Sequence, residues 1–254
     1  MPPMSIPTIF TDAFAKADPS WHPVLRRALA SMSPDYLAQL AQDHFLPTQN
    51  RLFAAFVLPL EQTKYVLVGE GPYPREESAS GVCFMDAAVG ELWCDAGLSK
   101  PVNRATSLRN FMKMLLVTAG YLDPQDTNGE AMAAAVARLR AATSIRTLPE
   151  LQANLIGHGF LLLNASLVFR SNVAPAIDAR AWLPFLETVL DALANVSPPP
   201  KLVLWGRIAE QLKKLKGSER FGHLVSEHPF NVSFIHHDGM KELFGPMKLL
   251  EKSR

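Results

Sequence analysis

The chain is 254 residues long, 48% hydrophobic and nearly neutral, with 25 Lys and Arg against 24 Asp and Glu. That length suits one core of generous size, and a net charge of +1 excludes a bulk positive field, so any nucleic-acid binding must rest on a local patch. Two cysteines, Cys83 and Cys94, cannot build a disulfide framework or a complete four-cysteine metal or iron–sulfur site.

The N-terminus MPPMSIPTIFTDAF lacks a basic region followed by an apolar core, and no run reaches the ~20 apolar residues of a membrane span. The expectation is a soluble cytoplasmic protein without membrane contact, metal or cofactor, made of a lead-in over residues 1–20 and one domain over 21–254. Apolar residues at helical spacing (Val24, Leu25, Ala28, Leu29) predict a first helix, and Ser33-Pro34-Asp35 predicts the capped start of a second. A short helix is expected over Asn50 to Phe56. The run Tyr65-Val66-Leu67-Val68 then reads as a buried strand ending at Gly69, followed by a Gly- and Pro-studded turn. Ligand sites of open α/β sheets lie in such places.

From Phe84 to Thr106 the sequence reads as a long irregular loop, and long loops in compact domains tend to be functional. Ser107 is expected to cap an apolar helix running to Thr118 and closing at Gly120. An Ala-rich helix follows from Gly129 to Ala142, with Arg138 and Arg140 on a solvated face. Thr147-Leu148-Pro149-Glu150 predicts another capped helix, ending at Gly157. Gly159 to Val168 is the second strand, and Asn164 closes its Leu run. A helix over Arg180 to Leu193, a strand over Lys201 to Gly206 and a helix over Arg207 to Leu215 come next. Lys213, Lys214 and Lys216 then lead to a fourth strand, His223 to Ser226, before a last helix over Gly239 to Leu250. Strands alternating with helices, each strand nearly continuously apolar, predict a parallel sheet covered on both faces.

The loops at the strands' carboxyl ends would carry Glu70 and Tyr73, Asn164, the Trp205-Gly206-Arg207 turn, and His228. Taken alone, Asn164 reads more readily as a locally satisfied amide than as a ligand contact. Treated as one pocket with Phe84, these residues offer more. An amide presents a donor beside an acceptor, which matches the O4 and N3–H edge of uracil and mismatches cytosine. Stacking on Phe84 would contribute roughly 1–3 kcal/mol. A histidine could stabilise negative charge developing on a leaving base. His236-His237-Asp238 reads as a helix cap and surface, Asp86 as a solvated loop carboxylate, and both cysteines as buried small hydrophobes.

Several spaced motifs resemble the uracil-DNA glycosylase superfamily, and its first family most closely. WHPVL resembles that family's W-x-x-x-L segment, and RLFAAFVLPLEQTKYVLVGEGPYP resembles the lead-in to its water-activating loop. SGVCF, SLRNFMKML, GFLLLNASLVFR, LVLWGRIAEQLKK and EHPFNVS resemble its later motifs, in the same order. The likeness runs from Trp21 to the last helix, with an apparent insertion around Asp123 to Arg146. It implies a single-domain, three-layer α/β/α fold with a central four-stranded parallel sheet. The activity implied is base-excision repair: hydrolysis of the N-glycosidic bond of a flipped-out uracil or related base by a monomer acting on single- or double-stranded DNA.

Carried over by position, the resemblance implies that Tyr73 walls off the C5 side of uracil, Phe84 stacks on it, Asn164 reads its O4 and N3–H edge, and His228 faces O2. Ser107 and Arg207 would contact DNA, and Val232 stands where a leucine wedges into the duplex. The departures matter as much. Gly71 replaces the water-activating aspartate and Glu70 the neighbouring glutamine, so the loop lacks its usual general base. Losing one typically costs about 10²–10⁴ in rate. Pro74 replaces a histidine, Lys100 to Arg104 replaces a proline-rich DNA-gripping loop, and Phe230-Asn231 replaces a Ser-Pro. GEGP, at Gly69 to Pro72, also resembles the first motif of the thermostable iron–sulfur glycosylases, which are active without that aspartate. Two expectations follow: a glycosylase in which Glu70 holds the water beside a substrate-contacting Gly71, or an inactive descendant that binds nucleic acid, a base or a protein partner through the retained pocket. A nucleotide-binding enzyme using the Gly-rich turn as a phosphate cradle is a third.

Overall fold

A computed structural model of the chain describes residues 6–215 and 217–252. Lys216, part of the expected lysine run, and the first five residues of the lead-in lie outside the described residues. Among the described residues six strands form: β1 (Tyr65–Gly69), β2 (Trp93–Cys94), β3 (Gly97–Leu98), β4 (Phe160–Asn164), β5 (Lys201–Trp205) and β6 (Gly222–Ser226). Four of them make a sheet in the order β4-β1-β5-β6, and β2 pairs with β3 as a small hairpin.

Two compact units emerge. One contains the described residues up to Asp86, with Gly159–Leu204 and Ile208–His223. The other contains Ala87–His158, Trp205–Arg207 and the described residues from Leu224 onward.

In the first unit β1 lies between two parallel neighbours, with Tyr65 opposite both Phe160 of β4 and Lys201 of β5. Side chains alternate along each strand. Val66, Val68, Leu161, Leu163, Leu202 and Leu204 therefore share one face, packed into a core with Trp21, Leu25, Phe53, Trp182 and Phe185. Leu67, Leu162 and Val203 point the other way and are equally buried. Burial on both faces explains the continuous apolar runs, since each such side chain contributes about 1.5–3 kcal/mol. β6 is one of the two edge strands, and only Ser226 of it is buried, whereas β4 at the other edge is buried throughout.

Helices His22–Ala30 and Pro34–Leu40 appear as expected, the second capped by Ser33, whose Oγ accepts from the Tyr36 N–H at 3.3 Å. The lead-in contributes Phe10 and Phe14 to the core. Buried charge is paired: the Arg170 guanidinium donates to Asp178 at 2.5 and 3.2 Å and to Asp43 at 2.9 Å. Removing one partner of such a group would leave an uncompensated buried charge.

The second unit is built on helices Thr106–Thr118, Gly129–Ala141, Leu148–Gly157 and Asp238–Phe244. Its aromatic centre joins Phe111, Trp205, Phe234 and Phe244. Phe111 meets Phe244 edge-on at 5.1 Å, and Trp205 meets Phe234 edge-on at 5.4 Å, the arrangement that ring quadrupoles favour. Gly97 sits at φ +114°, and a Cβ there would come within 3.2 Å of Met132 Cβ, so a glycine lets the hairpin approach the Gly129–Ala141 helix.

Several expectations need correction. Residues 50–56 form successive turns rather than a helix: Gln49 and Asn50 have positive φ, and the hydrogen bonds span three residues, as from Ala54 N–H to the Arg51 carbonyl. The stretch from Phe84 to Thr106 is not wholly irregular, because it holds the β2–β3 hairpin and a one-turn helix, Lys100–Arg104, capped by Ser99. Ser107 lies inside the first turn of its helix rather than at its cap, which is Ala105. The helix expected over Arg180 to Leu193 is two, Pro175–Ala181 and Leu183–Ala194. Pro184 has no N–H with which to continue the first of them. The last helix stops at Phe244, two residues before Pro246. Asp86 is buried rather than solvated and sits 3.6 Å from Arg75, and Cys94 is exposed while Cys83 is buried. His237 caps the Asp238–Phe244 helix as expected, its Nδ1 accepting from the Met240 N–H. Among the described residues no helix is long and apolar enough to cross a membrane.

Candidate active site

The turn after β1 is fastened to the end of β4 through its backbone. Ala165 donates to the Gly69 carbonyl at 2.8 Å, and Ser166 donates to the Glu70 carbonyl at 3.1 Å. Asn164, opposite Gly69 in register, is thereby fixed beside the loop. Its side chain is 3% exposed, and its amide bonds to no other described residue. The expected local satisfaction of Asn164 is thus not found. Gly69 is required by this closeness: a Cβ there would stand 3.0 Å from Asn164 Oδ1 and 2.6 Å from Cys83 Sγ.

Glu70 and Gly71 are exposed at the tip of the turn. A side chain at Gly71 would meet only the Ser166 carbonyl oxygen, at 3.7 Å, and Ser166 Cβ, at 3.9 Å, so the position has room for one. Tyr73 is partly buried, and its hydroxyl donates to the Phe84 carbonyl at 3.4 Å. Burial, with Asp86 and Cys83 nearby, pushes its phenol well above the usual range, so it stays neutral. Burial also raises the Cys83 thiol, to about 12, which makes it an inert packing group. Phe84 takes positive φ, +68°, and is partly exposed. A non-glycine residue in that region carries strain that surrounding structure must hold.

In the second unit His228 is exposed, and its Nδ1 accepts from the Phe230 N–H at 3.1 Å. That contact uses Nδ1 as an acceptor, which leaves Nε2 as the ring nitrogen that carries a proton. Gly206, at φ +66°, lies under it, and a Cβ there would approach His228 Cβ to 2.9 Å. Asn110 was not singled out from the sequence. Its Nδ2 donates to the carbonyls of Pro229 at 2.7 Å and Phe230 at 3.3 Å, steadying the backbone after His228. The available signal was an amide inside an otherwise apolar helical run. Of the expected DNA-contacting residues, Arg207 is exposed, Ser107 is partly buried in its helix, and Val232 is 61% exposed at the start of a short 3-10 helix. Among the described residues no three His, Cys, Asp or Glu side chains converge as metal ligands would.

In the first unit, a nearly buried amide at a strand end beside an aromatic in a constrained turn is equipment suited to a protein that binds a planar polar ring. The comparisons give that class a family. No protein-family model matches the chain. A solved structure described as wild-type UNG from Nitratifractor salsuginis is 38% identical, matches with a TM-score of 0.89 and covers the whole of both chains. A uracil-DNA glycosylase of Leuconostoc mesenteroides is 26% identical over 224 residues, 84% of each chain, and one of Mycobacterium sp. is 28% identical over 221 residues, 85% of this chain and 82% of the relative. Mimivirus uracil-DNA glycosylase, at 18% identity and a TM-score of 0.55, shares the fold. The chain belongs to the uracil-DNA glycosylase superfamily.

Proposed function

We propose that the protein is a metal-independent uracil-DNA glycosylase, acting as a monomer on uracil flipped out of DNA. The observation that carries the reading is the Asn164 amide, 3% exposed and bonded to no other described residue. A nearly buried amide without a partner among the described residues keeps its donor and acceptor available to a ligand. Uracil offers N3–H to its oxygen and O4 to its NH₂ group, whereas cytosine offers the reversed pattern and would leave both unpaired. The relatives' names support this choice of base.

In this reading Phe84 stacks on the base, and the neutral Tyr73 phenol excludes a substituent at C5. The bond from C1′ to N1 breaks with its electron pair leaving on the base, and the sugar becomes oxocarbenium-like. The Nε2–H of His228 donates to O2 and spreads that charge, the kind of aid a preorganised donor gives without reorganising. A water oriented by Glu70 adds to C1′ beside Gly71 and gives up its proton to the carboxylate, leaving free uracil and an abasic site. Ser107, Arg207 and Val232 contact the DNA.

Gly71 favours a second reading, a descendant that binds without cleaving, because it presents no carboxylate where the family's base stands. Single-turnover release of uracil from a single-stranded oligonucleotide separates the two. Wild type is expected to release uracil slowly, and Glu70→Gln to lose a further 10²–10⁴-fold, roughly the worth of a general base. Asn164→Ala should lose activity and its preference over cytosine. Wild type at the buffer blank with Gly71→Asp active would replace the glycosylase with the binder.

A further inference from the structure

A cavity of about 220 Å³ in the second unit is lined by Arg140, Ala142, Thr143, Ser144, Arg146 and Lys252. Three cations and two hydroxyls face it, and none of these residues is acidic. They arrive from three segments: the last turn of the Gly129–Ala141 helix, the stretch leading to Thr147, and the chain's end. Backbone pairing holds the last two together, with Ile145 N–H donating to the Leu250 carbonyl at 3.0 Å and Lys252 N–H to the Thr143 carbonyl at 3.4 Å.

The nearby carboxylates do not fill this charge. Asp95 accepts from Arg140 at 2.6 Å but is fully exposed, and Glu150 stands 3.9 Å from Lys252 with both partly exposed. Exposed pairs of this kind are weak and readily exchanged. Glu150 is moreover engaged with the backbone N–H groups of Arg146, at 2.7 Å, and Thr147, at 2.8 Å. Among the described residues no carboxylate pairs with the Arg146 guanidinium.

The cavity's place in the fold suggests its occupant. Leu92 N–H donates to the Arg146 carbonyl at 2.8 Å, and Ser99 N–H donates to the Leu92 carbonyl at 2.9 Å. Arg146 is therefore two strand spacings, about 10 Å, from Ser99, the cap of the Lys100–Arg104 turn, whose exposed Lys100 and Arg104 add two further cations beside the cavity. That separation is short enough for the backbone of one strand to reach both, since phosphates follow one another closely along it.

We propose that this cavity is a second DNA-backbone site, in which Arg146, Arg140 and Lys252 hold one phosphodiester of the strand that runs past the Lys100–Arg104 turn. The inference rests on the glycosylase reading for the identity of the polymer. It also explains how a nearly neutral chain that lacks the proline-rich loop can hold DNA: positive charge is concentrated at one point rather than spread as a field.

The test is the salt dependence of binding to undamaged duplexes, read by fluorescence anisotropy, for wild type, Arg146→Gln/Lys252→Gln, Lys252→Gln alone and Arg146→Lys. On a duplex of about three helical turns, the slope of log K against log salt should fall by about 1 for the double variant, the value for one lost phosphate contact. Lys252→Gln should fall part-way, and Arg146→Lys should keep the wild-type slope. Thermal midpoints should stay unchanged, because the substituted side chains are exposed. An unchanged slope in both glutamine variants overturns the proposal. Stabilisation of wild type, but not the double variant, by millimolar inorganic phosphate or a mononucleotide, with no change in DNA slope, also overturns it in favour of a small anion. Uracil release from a short single-stranded oligonucleotide is measured in parallel. Its absence in wild type removes the glycosylase reading, while the duplex slope still reads the cavity.

Discussion

Gly69 and Asn164 are register partners on β1 and β4, and a methyl group at 69 would stand 3.0 Å from the Asn164 amide oxygen. The missing side chain therefore sets where the Asn164 amide lies. Gly69→Ala must displace Asn164, Cys83 or both, and a misplacement near 1 Å can cost about 10²-fold. Single-turnover excision should fall by that order, with a smaller change in thermal midpoint. Adding Cys83→Ala relieves the tighter contact, at 2.6 Å, and should recover stability more than rate. Wild-type rates in Gly69→Ala would sink this account of the amide's placement.

Acid stability should carry the signature of one helix cap. Thr147 and Glu150 form a reciprocal capping box at the start of Leu148–Gly157. The Arg146 N–H, followed by the Thr147 backbone and hydroxyl, holds the Glu150 carboxyl below its usual range. The folded state then binds that proton more weakly than the unfolded chain, so the stabilisation is complete above a pH of about 4.3 and fades as pH falls through the lower folded value. Glu150→Gln should be less stable than wild type at pH 7, and the gap should close below about pH 4. Denaturant midpoints measured from pH 3 to 7 check this, and a gap that stays constant would rule out the carboxylate's charge as its source.

How much of this was legible in the sequence differs by element. β1, β4 and β5 were readable because their apolar runs are buried on both faces, and no other short structure asks for that. The Thr147-Leu148-Pro149-Glu150 start was readable because capping is local chemistry. Residues 50–56 were misread, since Leu52, Phe53, Ala55 and Phe56 bury apolar surface from consecutive turns, a pattern that spacing does not distinguish from a helix. Tyr73, Phe84 and His228 lie in loops, whereas Asn164 closes β4 itself, and the open state of its amide depends on which backbone groups reach it. Asp86 was misjudged for the same reason: only the fold brings Arg75 to it. The cavity around Arg146 was invisible, because its walls come from segments about a hundred residues apart.

The exposed loop after His228 yields the last prediction. Phe230 is 64% exposed and Val232 61%, two apolar side chains held out of the core. Their backbones differ in support. The Phe230 N–H donates to His228 Nδ1, and the carbonyls of Pro229 and Phe230 accept from Asn110, whereas Val232 opens a 3-10 helix with no side-chain cap. A wedge that must push between base pairs gains from a fixed backbone and a flat ring, and stacking on a base is worth about 1–3 kcal/mol. Phe230→Ala should therefore lower excision from duplex DNA by roughly ten- to a hundredfold, on the scale of that stacking energy. Val232→Ala should cost less. Neither should change excision from single strands much, because no stacked partner has to be replaced. Asn110→Ala, which frees the same backbone, should reproduce the duplex-specific loss in milder form. A larger loss for Val232→Ala, or equal losses on single and double strands, would return the wedge to Val232 or remove it from this loop.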